Sequence, residues 1–117
     1  MTAALWSPRL PYPGATDYYD RYVERYKEAP DYHGAEAYAA VLVAADVLER
    51  AESFTPEATR SALNDTNLET LFGQVRFLAY DKFERQNNTP TVVLKVADSK
   101  FEFVWPENFA ATSLSTP

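Results

Sequence analysis

YHGAEAYAAVLVAADVLER, residues 32–50, is the run around which the chain is organised. Between Ala37 and Leu48 only Asp46 carries a charge, and Ala supplies much of the remainder. Ala and Leu are strong helix formers, so the run predicts a helix that ends near residues 51–53. A helix apolar nearly all round is buried from several sides. Leu42, well inside the run, is therefore expected in the core. The run is too short and too rich in Ala to span a bilayer comfortably. It needs neighbours, and the segments on either side of it are the candidates.

Upstream, Ala3–Trp6 reads as the tail of a strand, and Pro8, Pro11 and Pro13 with Gly14 make an extended linker. Thr16 reads as the N-cap of a helix over residues 17–28. Tyr18, Tyr19, Tyr22, Val23 and Tyr26 fall on one face of that helix, where packing with the hydroxyls at the rim is the simplest role. Ala29-Pro30 stops it. Downstream, Thr55 caps a short helix to about Leu63, with Pro56 at its first position and Glu57 complementing the dipole. Residues 71–77 read as a strand interrupted by Gly73, where a bulge or a close backbone approach is expected. Residues 80–89 read as a polar connection. TVVLKV, residues 91–96, is a strong strand, and after a turn residues 101–105 return. This hairpin places Phe101, Phe103 and Trp105 on one face. The tail from Pro106 is expected to fray.

The chain has 117 residues, 46% of them hydrophobic, which suits one domain or part of one. A net charge of -6 argues against a nucleic-acid groove and against a polybasic membrane patch. The chain contains one His and no Cys, which excludes a thiol nucleophile. No Ser lies in a nucleophile-elbow pattern, and no glycine-rich phosphate loop exists. Metal binding would need more than one His or a carboxylate cluster, so neither a metal nor another cofactor is expected. These absences argue against an enzyme. His33 is the most interesting side chain. It lies beside Tyr32 at the start of the central helix, and helix N-termini present free N–H groups to anions. The alternative is that His33 only caps or packs.

The order of these signals resembles the C-terminal part of the type I periplasmic binding proteins, among them the branched-chain amino-acid (leucine–isoleucine–valine) binding proteins that feed ABC transporters. The pieces that carry the resemblance are Trp6-Ser7-Pro8, TDYYDRYVERY, Tyr32-His33, AYAAVLVAADVL, TPEATRSAL, TLFGQVRF, RQNNTPTVVLKV and FEFVWPENFAAT. Two places depart from the family pattern. Leu78-Ala79-Tyr80-Asp81 stands where an acidic turn with Gly is usual, and Lys95 stands near a common Gln. The resemblance implies a two-lobed α/β protein with its ligand cleft between lobes. This segment itself would be α+β, three helices plus a short antiparallel sheet or hairpin.

By the same resemblance, residues 1–90 are mainly first-lobe elements and residues 91–117 a second-lobe hairpin and tail. Hinge crossings are expected near Trp6–Pro8 and Gln86–Pro90. His33 falls where family members place a ligand-facing side chain; Trp6 and Tyr32 follow by proximity to the cleft. The implied function is binding of an amino acid or similar small carboxylate by hinge closure, with an ABC-transporter permease as partner. A ligand-sensing receptor domain of the same fold and a stand-alone dimerising module are the alternatives. The implied location is periplasmic or extracellular, although MTAALWSPRLPYPG lacks the basic start and apolar run of a signal peptide. The chain is thus expected to be a C-terminal fragment. Its central helix and the edge of the Thr91–Val96 strand, left without their partners, are expected to drive homodimer formation.

Overall fold

In the computed structural model, which describes residues 1–110, strand β1 (Thr2–Ala4) leads through the proline-rich linker into helix α1 (Ala15–Tyr26). Helix α2 (Tyr32–Arg50) and helix α3 (Pro56–Asn64) follow. Six strands complete the order: β2 (Asn67–Thr70), β3 (Gly73–Arg76), β4 (Leu78–Tyr80), β5 (Phe83–Gln86), β6 (Val92–Ala97) and β7 (Lys100–Trp105). The segment is α+β, with three helices and small antiparallel sheets, as its sequence implies.

The helix ends follow from local chemistry, with corrections at both ends of α1, which stops at Tyr26 with Lys27 in the left-handed region (φ 62°) rather than running to residue 28. Thr55 caps α3 by accepting the Ala58 N–H at 3.3 Å, and Pro56 begins the helix. Helix α1 starts earlier than expected, after Gly14 in the left-handed region (φ 78°). Thr16 is not its cap. The Thr16 hydroxyl instead donates to the Pro8 carbonyl at 3.0 Å and ties the helix to the linker. Glycine takes that left-handed conformation without steric cost, which lets the linker turn into the helix at this point.

The strands between residues 67 and 86 are richer than their sequence suggests. The interrupted strand over residues 71–77 is in fact the turn and second arm of a hairpin, with Thr70 paired to Gly73. The buried Thr70 hydroxyl donates to the Gly73 carbonyl at 2.8 Å and accepts the Phe72 N–H at 3.1 Å, which closes the turn. Gly73 has φ 106°, and a Cβ there would lie 3.3 Å from the Tyr12 ring. Gly73→Ala is expected to destabilise the fold by about 1–3 kcal/mol, the usual cost of a side chain in such a conformation. Chemical denaturation would check this. The polar connection expected over residues 80–89 holds the turn, at Asp81 and Lys82, and the second arm of another hairpin, β4–β5, whose first arm begins at Leu78. All its residues are exposed, so no hydrophobic alternation marked it.

Strand β6 lies in the middle of a three-stranded sheet, between β1 and β7. The expectation of an unpaired β6 edge is therefore wrong. The strand end expected over residues 3–6 stops at Ala4, and residues 2–4 pair with residues 92–94. The β6–β7 turn places Asp98 (φ 49°) and Ser99 (φ 60°) in the left-handed region, as tight hairpin turns require. Val93 pairs with Trp105 and Leu94 with Phe103, so Val104 is an extra residue in β7. This bulge breaks the aromatic face: Phe103 and Val104 are both buried, whereas Phe101 and Trp105 are exposed. The tail also needs correction. The Phe109 N–H donates to the Pro106 carbonyl at 2.9 Å, and the Phe109 ring meets Tyr12 edge-on at 6.3 Å. Residues 106–110 are thus held to the body, and the rest of the tail lies outside the described residues.

Two buried clusters form the core. Trp6, Ala15, Ala35 and Leu71 hold the helices against the β2–β3 turn. Leu10, Val92, Leu94 and Phe103 lie under the sheet, and Tyr12 packs against both clusters. The chain measures 56 × 41 × 18 Å with a radius of gyration of 17.0 Å. A compact domain of about 100 residues has a radius near 13 Å. The described residues form a slab, and among them no further layer covers its broad faces. This overturns the expected all-round burial of α2. Only Ala35, Ala39 and Val47 of α2 are buried; Val41 is 67% exposed and Leu42 37% exposed. Arg50 holds the far end of α2 to α3. Its guanidinium bonds Asp46 at 2.6 and 3.0 Å and donates to the Ala62 carbonyl at 2.9 Å.

Candidate functional site

A cleft of ≈ 740 Å³ lies where β1 and the segment after it, the start of α2 and the turn end of the β6–β7 hairpin face one another. The linker holds one wall in place because Trp6 is anchored. Its indole N–H donates to the Leu71 carbonyl at 2.8 Å, and its ring meets Tyr18 edge-on at 5.9 Å. On the second wall, the hairpin brings Leu94, Phe101 and Phe103 to the lining. The third wall is Pro30, Asp31 and Tyr32 at the entry to α2. Apolar surface from three elements thus surrounds a small number of charges, the usual composition of a small-molecule site.

Those charges are Arg9, Lys100 and Asp31. Among the described residues neither Arg9 nor Lys100 takes part in an ion pair, whereas Lys95, outside this lining, pairs with Glu102 at 3.5 Å. Two cations that pair with no carboxylate among the described residues, in a chain of net charge -6, favour an anionic group in the cleft. Asp31 is the N-cap of α2, and its carboxylate accepts the Gly34 N–H at 2.9 Å. That bond, and then the His33 ring at 3.3 Å, hold the Asp31 carboxyl below the ordinary carboxylate range. Asp31 therefore stays ionised at neutral pH.

The three residues singled out from sequence sit in different relations to this cleft. Trp6 and Tyr32 line it. His33 lies beside it rather than on its lining, stacked on Tyr32 with ring centroids 3.9 Å apart. The His33 side chain is 67% exposed and faces Asp31. The expectation of open amides at this helix end needs correction, because the Asp31 side chain already occupies the Gly34 N–H. Sequence reading missed Asp31, Arg9 and Lys100. A signal existed for Asp31, since Asp directly before a helix start is a strong cap. None existed for Arg9 and Lys100, which are far apart in sequence and share only the lining of one cleft.

The tyrosines of α1 continue away from the cleft as a ladder. Tyr18, Tyr22 and Tyr26 follow one another at 5.8 and 4.6 Å, and Tyr38 of α2 meets Tyr18 at 5.1 Å. Burial, followed by the neighbouring Tyr22 and Asp31, raises the Tyr18 phenol above its usual range. Gly34 leaves room for that phenol, as a Cβ there would stand 2.9 Å from the Tyr18 hydroxyl. Among the described residues, no three acidic or His side chains gather as a metal site would require, and no helix is long and apolar enough to cross a membrane.

Residues 1–100 match the family profile described as "Periplasmic binding protein". Among solved structures, the chain is similar to an ABC transporter substrate-binding protein from Desulfitobacterium hafniense, at 24% identity with a TM-score of 0.69. It is also similar to an ABC transporter substrate-binding protein from that organism solved in complex with Leu, at 24% identity with a TM-score of 0.68. Each match covers 87% of this chain and 30% of the other, so this chain spans about a third of the length of its structural neighbours.

Proposed function

Because this chain belongs to the periplasmic binding protein family, we propose that it is part of a solute-binding protein for amino acids or similar small carboxylates. The observation that carries the proposal is the cleft, where an apolar wall from Trp6, Leu94, Phe101 and Phe103 meets Arg9 and Lys100, which form no ion pair among the described residues. A carboxylate suits the cations, and an apolar side chain suits the wall. The structural neighbour solved with Leu supports the same ligand class. The reading involves binding and hinge closure, without bond chemistry.

In this reading, residues 1–90 are mainly first-lobe elements and residues 91–117 belong to the second lobe. The two separate buried clusters support that division, and Tyr12, packed on both, lies in the connection between them. Strand β1 and Leu10 are exceptions, since β1 joins the hairpin's sheet and Leu10 packs under it. Trp6 and Tyr32 are proposed to face the ligand. His33 is proposed to act from the rim, through its stacking on Tyr32 and its contact with Asp31. The location would be periplasmic or extracellular, and an ABC-transporter permease the partner. The exposed Val41 and Leu48 also favour self-association of residues 1–117 when alone.

Calorimetry on the entire polypeptide that carries these residues tests the proposal, using leucine, isoleucine, valine, phenylalanine and their deaminated carboxylates. A micromolar dissociation constant for at least one is expected, and no binding across the panel would refute the proposal. In the same assay His33→Ala should weaken the bound ligand several-fold while the melting temperature stays close to that of the parent. An exposed side chain leaves no cavity when removed, so stability is not the property at stake. A melting temperature that falls with affinity unchanged would make His33 a structural residue.

A further inference from the structure

We infer that a second small-molecule site, for a neutral polyhydroxylated ring of the sugar or cyclitol class, lies where the proline-rich linker crosses the β2–β3 hairpin. The cavity there has a volume of ≈ 370 Å³, within the range of small-molecule sites. Its walls are residues 11–13 of the linker, the β2–β3 hairpin, strand β4, residues 87–90 and Phe109. Its lining shares no residue with that of the cleft described above. Three aromatic rings border it, Tyr12, Tyr80 and Phe109. The Tyr12 ring is held in place. A Cβ on Gly73 would stand only 3.3 Å from it, and Phe109 meets it edge-on at 6.3 Å. Burial raises the Tyr12 phenol above its usual range, so it stays a neutral hydroxyl at neutral pH. The Asn87 side chain accepts the Arg76 N–H at 3.1 Å and donates to the Thr89 hydroxyl at 3.1 Å, which ties residues 87–89 to β3. Much of the wall is thus set before a ligand arrives, and a preorganised site loses less on binding.

The charges decide the ligand class. Glu69 pairs with Gln74 across the hairpin, and Arg76 lies two residues beyond Gln74, so Glu69 and Arg76 stand on one face. Both line the cavity, and neither takes part in an ion pair among the described residues. They are the charged residues of this lining, one acid and one base, so it carries no net charge. A carboxylate would gain from Arg76 and lose to Glu69, and an ammonium the reverse. A hydroxyl both donates and accepts, so neighbouring hydroxyls answer the two side chains together. The C–H faces of such a ring are apolar and suit the aromatic walls.

Titration of the entire polypeptide with glucose, galactose and myo-inositol, alone and with saturating leucine, tests the inference. At least one probe is expected to bind with a dissociation constant of about 1 mM or tighter, with leucine present or absent. Glu69→Gln, Arg76→Gln and Tyr80→Ala each replace an exposed side chain, so their melting temperatures should stay near the parent's. Each should weaken the probe about fivefold or more, the order of effect for a lost hydrogen bond to a charged group or a lost ring contact. Failure of all three probes, or an affinity that the three substitutions leave unchanged, would overturn the inference. Displacement of the probe by leucine would put it in the cleft, and a second equivalent of bound leucine would assign the cavity to a zwitterion. Either result overturns it, as does tighter binding of glucose 6-phosphate or glucosamine than of glucose. A parent that fails to bind leucine refutes the solute-binding reading alone, because the three substitutions still locate the probe.

Discussion

Trp6→Ala is expected to cost about 3–5 kcal/mol, the range for removing a large aromatic from a core. Trp6 is only 7% exposed and packs with Ala15, Ala35 and Leu71. It holds α1, α2 and the β2–β3 turn at one point, so its loss opens a cavity shared by all three. It also removes the donor to the buried Leu71 carbonyl, bonded at 2.8 Å. An acceptor left unsatisfied in the interior adds about 1–3 kcal/mol. Few domains have more than about 5–15 kcal/mol in hand, so this variant should be largely unfolded near its working temperature. Trp6→Phe isolates the hydrogen bond, since most of the ring volume remains. It should be folded but less stable than the parent. Urea titration followed by circular dichroism reads both. A Trp6→Ala midpoint close to the parent's would show that the helices are held without this anchor.

Phe103→Ala is expected to be the second large loss, again about 3–5 kcal/mol. Phe103 is 7% exposed, pairs across the strand with Leu94 and completes the cluster with Leu10 and Val92. Phe101 provides the comparison. It lies two residues away in the same strand, pairs with the exposed Val96, and is 60% exposed. Phe101→Ala should therefore leave stability nearly unchanged, within the small range of surface substitutions, about 0.5 kcal/mol. Because Phe101 lines the cleft, its removal should instead reduce ligand affinity. The pair divides the sheet's supporting role from its contribution to the site. Thermal melts that shift equally for the two variants would contradict the burial pattern.

The lining of the candidate cleft is legible in the sequence only in part. Trp6 and Tyr32 were identified through the order of motifs, and both line the cleft. His33 was identified by the same route and lies at the rim. Its position follows from the cap, since Asp31 takes the place at the helix entry that the open amides were expected to hold for a ligand. Arg9 and Lys100 carry no local pattern. Their relevance comes from lying on one concave surface while pairing with no carboxylate among the described residues, and separation along the chain hides that.

What the sequence determined by itself is the set of features governed by neighbours a few residues apart. Helices α2 and α3 begin and end as their Ala content, caps and prolines require, and the β6–β7 hairpin appears at its alternating residues. The helix starts and turns depend on hydrogen bonds made within one turn, so local chemistry specifies them. The tertiary structure decided what those elements face. It paired residues 2–4 with β6, shifted the aromatic alternation of β7 by one bulged residue, and made hairpins of segments read as a broken strand and a loop. It also left Val41 and Leu42 of an apolar helix open to solvent. The physical reason is the same in each case. Hydrophobic residues state that surface is to be buried, but burial needs a second surface at the right distance. In a slab 18 Å thick, that surface exists only where another part of the chain comes back to provide it.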